Sequence, residues 1–580
     1  MKRAPIRLLL WTIPLAHPSR SWLAAAHETT QENPVQSVPL AWISSNNDDR
    51  HHRYNMHDPS QQPGPTDTYW DDFLRNGREP RRNREPVRVD YMGRHPFERS
   101  SQPDDTQNAR QAQSVPGTTD NDAVLYEPMR VHFDTHLLDA LSTDYPSHVS
   151  YIRDVLLPSL RSFWSEALSI IPAKQIEVPL SGPSSWCAQE VKKLTGFGLD
   201  DFLQQNATDS NHVEMGSGGS SLVYNETDLV VIVIPVEGTF ICPESQGVDS
   251  QKGTLAFATN CQRDQLDRPT VGFAGICFGP LDPENNSTKT TKRRFLTMAH
   301  EFTHILGFNS QDVPFFYNHA TGKPRTPRDQ WNRPPRNEVL CVDGTNRTVT
   351  TASEDTLKQV TTANGQIAYE IVTETVRNVA RNQFNCQKVA GGRLENQPTG
   401  ENDCFGSHWD LRLYNNDIMA AVYTGSTQYI TALTLAFLED TGWYRPNYAV
   451  AENSPFGLGA GCEFVEDQCI QNGTVPKWAD GTFCSSTSSV GCTTDKHLIA
   501  FCDISNWPDD LPSEYQYFED PVSADQCSVC CPLLHWSEVI VSTLFYSPLV
   551  SRFSPPTKRF LPCLHYHLSL RVERRFRRYP

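Results

Sequence analysis

The chain has 580 residues and a mass of 65.4 kDa, enough for two to four domains with substantial cores. A formal net charge of −17 argues against general nucleic-acid binding, because a polyanion would be repelled. Beyond the first 26 residues no run approaches the roughly 20 apolar residues that cross a bilayer. The longest late apolar run, VIVSTLFYSPLV (539–550), is short and contains Pro548, so no transmembrane segment is expected.

Residues 1–26 read as a secretory signal, with basic Lys2, Arg3 and Arg7, an apolar stretch over 8–16, and small Ala24, Ala25 and Ala26 at the cleavage region. Residues 27–120 are rich in Asp, Asn, Arg, Gln and Pro, which predicts a largely disordered, removable propeptide. The first folded part, 121–308, should open with a short strand (129–133) and a helix (148–168). A β-branched run, 229–236, follows the loop MGSGGSS (215–221) and predicts a buried strand. That loop has no P-loop lysine at the required spacing, which argues against nucleotide binding. An α+β layer is the natural reading of this part. Residues 309–405 hold a Pro- and Arg-rich loop (323–336) and a helical stretch (372–383). Within 406–531, YITALTLAFLEDTGWY (429–444) predicts a helix stopped at Gly442, followed by a cysteine-rich part. Residues 532–580 form an atypical basic, aromatic tail, and the last 30 residues carry eight Lys and Arg against one Glu.

All sixteen cysteines lie at or after Cys187, and behind a secretory signal they predict a disulfide framework. Zinc binding by thiolates is the competing reading, since CSVCC (527–531) contains a C-x-x-C, but no second one lies at finger spacing. Asn206, Asn225, Asn286, Asn346 and Asn472 stand in N-x-S/T sequons and agree with export and glycosylation.

The chemistry is concentrated in FLTMAHEFTHILGF (295–308). His300 and His304 are four residues apart, about one helical turn, so both imidazoles can reach one metal ion. Glu301 points to one side, where it can take a proton from an attacking water. With 18 His in the chain, H-E-x-x-H should arise by chance only roughly 0.03 times. Phe295, Met298, Ala299, Phe302 and Leu306 fall on one apolar stripe, with the imidazoles on the far side of the wheel. A catalytic zinc takes three protein ligands and leaves a position open. Gly307 starts the extension H-E-x-x-H-x-x-G-x-x-H, but Ser310 occupies the place of the last histidine, so the third ligand must arrive from farther along. A glycine there lets the chain leave the helix in a left-handed conformation. In CFGSHWDLRLYNNDIMA (404–420), His408 is either that ligand or a histidine packed beside Trp409 without a metal. Met419, on its own terms, is a core methionine.

HEFTH, the delayed His408 and Met419 together resemble the leishmanolysin family of zinc metalloproteases. YEPMRVHFDTHLLD (126–139) looks like the start of that family's mature enzyme, and GTLAFATNCQRDQLDRPTVGFAGICF (253–278) resembles the strand region before its zinc helix. VTETVRNVARNQFNC (372–386) and SPFGLGAGCEF (454–464) resemble segments of its inserted and C-terminal domains, in the family's order. The resemblance implies an α+β, metzincin-like catalytic domain split by an inserted domain and followed by a disulfide-rich C-terminal domain. Its parts would be 121–308, 309–405 and 406–531. It makes His300, His304 and His408 the ligands of one zinc ion, Glu301 the general acid and base, and Met419 the Met-turn that supports the site from beneath. Family propeptides hold the zinc shut with a cysteine, and none precedes Cys187 here. Latency would then need His51, His52 or His57, or steric cover, unless these are merely solvated histidines. The end RVERRFRRYP lacks the apolar tail of a lipid-anchored member, which favours a secreted enzyme over an anchored one; a monomer is expected, with peripheral association at the cell surface as the alternative location. The expected function is a secreted zinc endopeptidase acting on proteins or peptides. The rivals are a catalytically silent adhesion or surface-binding protein, and a structural zinc protein, which would favour four ligands with cysteine prominent.

Overall fold

The computed structural model describes residues 85–92, 95, 97, 126–195, 198–199, 213–216, 219–236, 255–362, 365, 367–400, 403–421, 427–468, 471, 474–484, 490–495, 499–501 and 534–535. The expected signal (1–26), His51, His52, His57, Asn206, Asn472 and CSVCC (527–531) lie outside the described residues, as does nearly all of the basic tail.

Among the described residues nine strands precede the motif helix: β1 (Glu127–Pro128), β2 (Val131–Asp134), β3 (Leu168–Ile170), β4 (Gln175–Pro179), β5 (Val213–Met215), β6 (Ser221–Asn225), β7 (Leu229–Val236), β8 (Ala256–Arg263) and β9 (Pro269–Cys277). The central sheet has the order β2-β7-β9-β8. Its first three strands are parallel, and β8 is an antiparallel edge. A parallel strand covered on both faces needs apolar residues at every position, and β9, PTVGFAGIC, is buried throughout. The β-branched run of 229–236 is β7, as its composition predicts. The strand expected over 129–133 is β2, which starts at Val131, while Met129 and Arg130 lie between it and β1. The helix expected over 148–168 comprises Pro146–Tyr151, a π turn at Ile152–Leu156, and Leu157–Ala167. Pro158 explains the interruption, because it has no N–H to continue the α ladder.

The motif helix, Thr288–Ile305, is capped by Ser287, whose hydroxyl accepts from the Thr290 amide. It packs on the sheet so closely that a Cβ at Gly272 of β9 would come 2.5 Å from Ile305 Cγ2. From the other side Trp164 stacks on Phe302 at 5.3 Å between centroids. The apolar stripe is buried as expected, apart from half-buried Phe295. The opposite side, with His300, Glu301 and His304, is buried too.

After the helix come a hairpin (Arg336–Leu340 with Asn346–Thr350), a three-stranded sheet (Leu357–Thr361, Ile367–Ile371, Gly392–Arg393) and the helix Glu374–Phe384. The helix expected over 429–444 is Ala432–Asp440, capped by Thr431, and Gly442 leaves it at φ +85°. Disulfides join Cys187 to Cys261, Cys341 to Cys404 and Cys386 to Cys462, and Cys277 and Cys484 are also disulfide-bonded. One continuous apolar core runs from Val89 to Phe483. The fold is therefore α+β with a disulfide framework. Among the described residues no helix is long and apolar enough to cross a membrane.

Candidate metal centre

His300 and His304 project from the last two turns of the motif helix, and His408 meets them from 104 residues along the chain. The three rings lie 4.9, 5.3 and 5.1 Å apart between centroids. One ligand atom from each falls within 4.8 Å of the others, and among the described residues this is the one such cluster of His, Cys, Asp or Glu.

A fixed oxygen accepts from Nδ1 of every one of these rings. His300 Nδ1 donates to the Ile418 carbonyl at 2.5 Å, His304 Nδ1 to the Phe308 carbonyl at 2.8 Å, and His408 Nδ1 to Glu395 Oε2 at 2.7 Å. Carbonyl and carboxylate oxygens cannot donate, so each neutral ring holds its proton on Nδ1 and leaves Nε2 unprotonated. The Nε2 atoms of His300 and His304 face each other at 3.2 Å with no proton to share. His408 Nε2 is buried without a partner. Converging lone pairs repel unless a cation lies between them. Two nitrogens about 2.0–2.1 Å from a tetrahedral zinc stand about 3.3 Å apart, so the donor set fits that ion. Burial, helped by His408, lowers the pKa of His300 to about 3, which keeps it neutral and able to ligate at physiological pH.

Local sequence explains each placement. Gly307 takes φ +113° and turns the chain, so that the Phe308 carbonyl comes back to His304. A Cβ there would lie 2.9 Å from Trp443 Cζ3. Asn309 Nδ2 donates to the His304 carbonyl at 2.7 Å and Tyr444 to that of Leu306 at 3.1 Å, satisfying the helix end. His408 is clamped on both sides: its carbonyl accepts from the Glu395 amide at 2.8 Å, and the amide of Trp409 donates to the Met419 carbonyl at 2.9 Å. The Met419 turn is locked by Asp417, which accepts from the Met419 amide and the Thr434 hydroxyl, each at 2.7 Å, and from the Thr431 hydroxyl. Met419 itself is fully buried. Burial pushes the Asp417 carboxyl up to about 6 against these three hydrogen bonds.

Glu301 is 2 % exposed, and burial holds its carboxyl well above the usual carboxylate range, opposed by a backbone hydrogen bond from Ala258 of edge strand β8. A cation on the three imidazoles would pull it back toward the ionised form.

Thus His300, His304 and His408 come together, with Glu301 and the Met419 turn beside them. Sequence reasoning missed Glu395, which lies in a non-periodic segment with no motif to flag it. It also missed Asp417, although an Asp two residues before the amide that it binds is a turn signal. Of the sequons, Asn286 and Asn346 are exposed and Asn225 is half-buried at the end of β6.

A family model described as leishmanolysin matches residues 243–323 and 338–543. The chain is 30% identical over 444 residues to the leishmanolysin-like peptidase of Caenorhabditis briggsae, covering 70% of this chain and 63% of that protein. It is 30% identical over 398 residues to the leishmanolysin-like peptidase of Drosophila melanogaster, covering 63% and 56%. With leishmanolysin of Leishmania major it shares 30% identity over 292 residues, covering 49% and 40%. The chain spans about three fifths of the length of the first curated relatives it matches.

Proposed function

Because the chain belongs to the leishmanolysin family, we propose that it is an exported zinc-dependent endopeptidase that hydrolyses peptide bonds in proteins. His300, His304 and His408 would hold one zinc ion, with Glu301 as general acid and base and the Met419 turn as support. The observation that carries this reading is the set of three imidazoles whose ligand nitrogens lie within 4.8 Å of one another, each ring fixed by an acceptor on its own Nδ1. In such a site zinc supplies Lewis acidity, polarising a carbonyl and making water nucleophilic near neutral pH.

The chain's own residues supply the proton transfers and the alignment. Glu301 accepts a proton from water as carboxylate and passes it to the leaving amine. A buried carboxyl with a raised pKa holds that proton readily between the two events. Edge strand β8 runs past Glu301 at Ala258; among the described residues no strand pairs with its outer side, and an extended peptide laid there gains main-chain hydrogen bonds. That favours unfolded or looped protein segments as substrates.

The wider layout in this reading is a metzincin-like catalytic part over 121–308, an inserted part over 309–405, and 406–531 supplying His408, Met419 and the cysteine-rich end. Paired cysteines and exposed Asn286 and Asn346 support passage through an oxidising, glycosylating compartment. The rival reading, a silent adhesion scaffold, has no observation in its favour. Zinc content measured beside cleavage of a peptide library tests both. The wild type should bind one equivalent and cleave, and Glu301→Ala should keep metal and fold but lose at least about 10²-fold in kcat. Cleavage unchanged in Glu301→Ala removes the glutamate from the chemistry, and zinc binding without any wild-type cleavage favours the scaffold.

A further inference from the structure

Residues 85–92, with His95 and Phe97, fall inside the segment whose composition predicts a removable leader, yet they are woven into the catalytic part. The Val87 amide donates to the Arg263 carbonyl at 2.9 Å, at the end of β8. Val89 and the Gln265 side chain exchange two hydrogen bonds, each 2.8 Å. On the other side Tyr91 bridges Ala173, the Lys174 amide donates to the Asp90 carbonyl at 2.8 Å, and the Met92 amide donates to the Pro172 carbonyl at 2.8 Å. The stretch therefore pins the β3–β4 connection to the turn after β8.

Its apolar side chains belong to the main core. Val89 is 3 % exposed, Tyr91 8 % and Phe97 2 %. Phe97 stacks on Tyr317 at 4.9 Å with the rings 6° from parallel. The Tyr91 hydroxyl donates to Asp264, whose carboxylate also holds buried Arg268 at 3.1 Å. Departure of this stretch would uncover the Tyr317 ring and take one donor from a buried carboxylate, leaving backbone groups of two connections unpaired. A leader built to leave would not be expected to carry such a load.

We propose that the stretch from Val87 to Met92, with Phe97, is a permanent strap of the folded catalytic part, so that a maturing cut falls N-terminal to Val87 and not just ahead of Tyr126. The proposal does not rest on the hydrolytic reading, because its readouts are mass and unfolding. In the full chain, a recognition sequence for a site-specific protease is inserted within 101–119 and cut after purification. The fragment carrying the strap should co-elute with the remainder on a native sizing column and separate only in denaturant. Its loss on the native column with the remainder unfolding also supports the strap, and its loss with the unfolding midpoint unchanged overturns it. In the uncut chain, Tyr91→Ala with Phe97→Ala should lower the midpoint by about 5 °C or more, and an unchanged midpoint again overturns it. If the double variant does not fold, Tyr91→Phe removes only the hydroxyl donated to Asp264. A lowered midpoint for that variant supports the strap, and one equal to wild type counts against it.

Discussion

Glu395 shows how much of the proposed metal site lies one step behind its candidate ligands. Its carboxylate fixes the His408 ring and raises the basicity of Nε2, while Ile418 and Phe308 serve the other two rings with neutral carbonyls. His408 comes from a distant part of the chain, and it alone has a charged acceptor. Glu395→Ala should weaken zinc binding about 10- to 100-fold, read by competition with a chromogenic chelator, and Glu395→Gln should weaken it less because an amide oxygen still accepts. Affinity equal to wild type in both variants would leave Glu395 without a role in positioning. The pairing of His300 and His304 was legible because a four-residue spacing is a geometric statement. His408 was legible only through resemblance, because a contact across 104 residues leaves no local period.

At the scale of elements, the end of the motif helix and the Met419 turn carry the geometry. Gly307 sits at φ +113° with Trp443 where a side chain would go. Gly307→Ala should therefore cost about 1–3 kcal/mol, seen as a lower denaturation midpoint together with weaker zinc binding. In the Met419 turn, the Asp417 carboxyl has a folded pKa of about 6, above the unfolded value of about 3.9. The fold thus favours the protonated acid: this residue's contribution is best below about pH 4 and is lost as pH rises through 6. Two units correspond to about 3 kcal/mol. The stability difference between wild type and Asp417→Asn should shift by about that much, in favour of the variant, between pH 4 and 7 in denaturant titrations. A difference independent of pH would show that Asp417 does not titrate in this range.

For the whole molecule, periodic elements were readable and stitching was not. β7 and the motif helix follow from a β-branched apolar run and a 3.6-residue stripe, whereas residues 87–92 alternate buried and exposed over only six positions inside a polar segment and gain their order from the surfaces they join. The disulfides follow the same logic. That the cysteines pair was legible, but which pairs form depends on the fold, and two of the disulfides bear differently on the site. Cys341–Cys404 fastens the hairpin connection to the chain four residues before His408, while Cys386–Cys462 joins the end of the helix Glu374–Phe384 to the helix Cys462–Glu466. Loop closure over separations of 63 and 76 residues predicts similar stabilisation, about 4 kcal/mol each. Zinc affinity should distinguish them. Cys341→Ser with Cys404→Ser should lower both stability and affinity, because His408 loses its nearest covalent anchor. Cys386→Ser with Cys462→Ser should lower stability by a similar amount with a smaller change in affinity. Equal losses of affinity in the two double variants would mean that the site depends on the stability of the whole and not on local delivery of its third ligand.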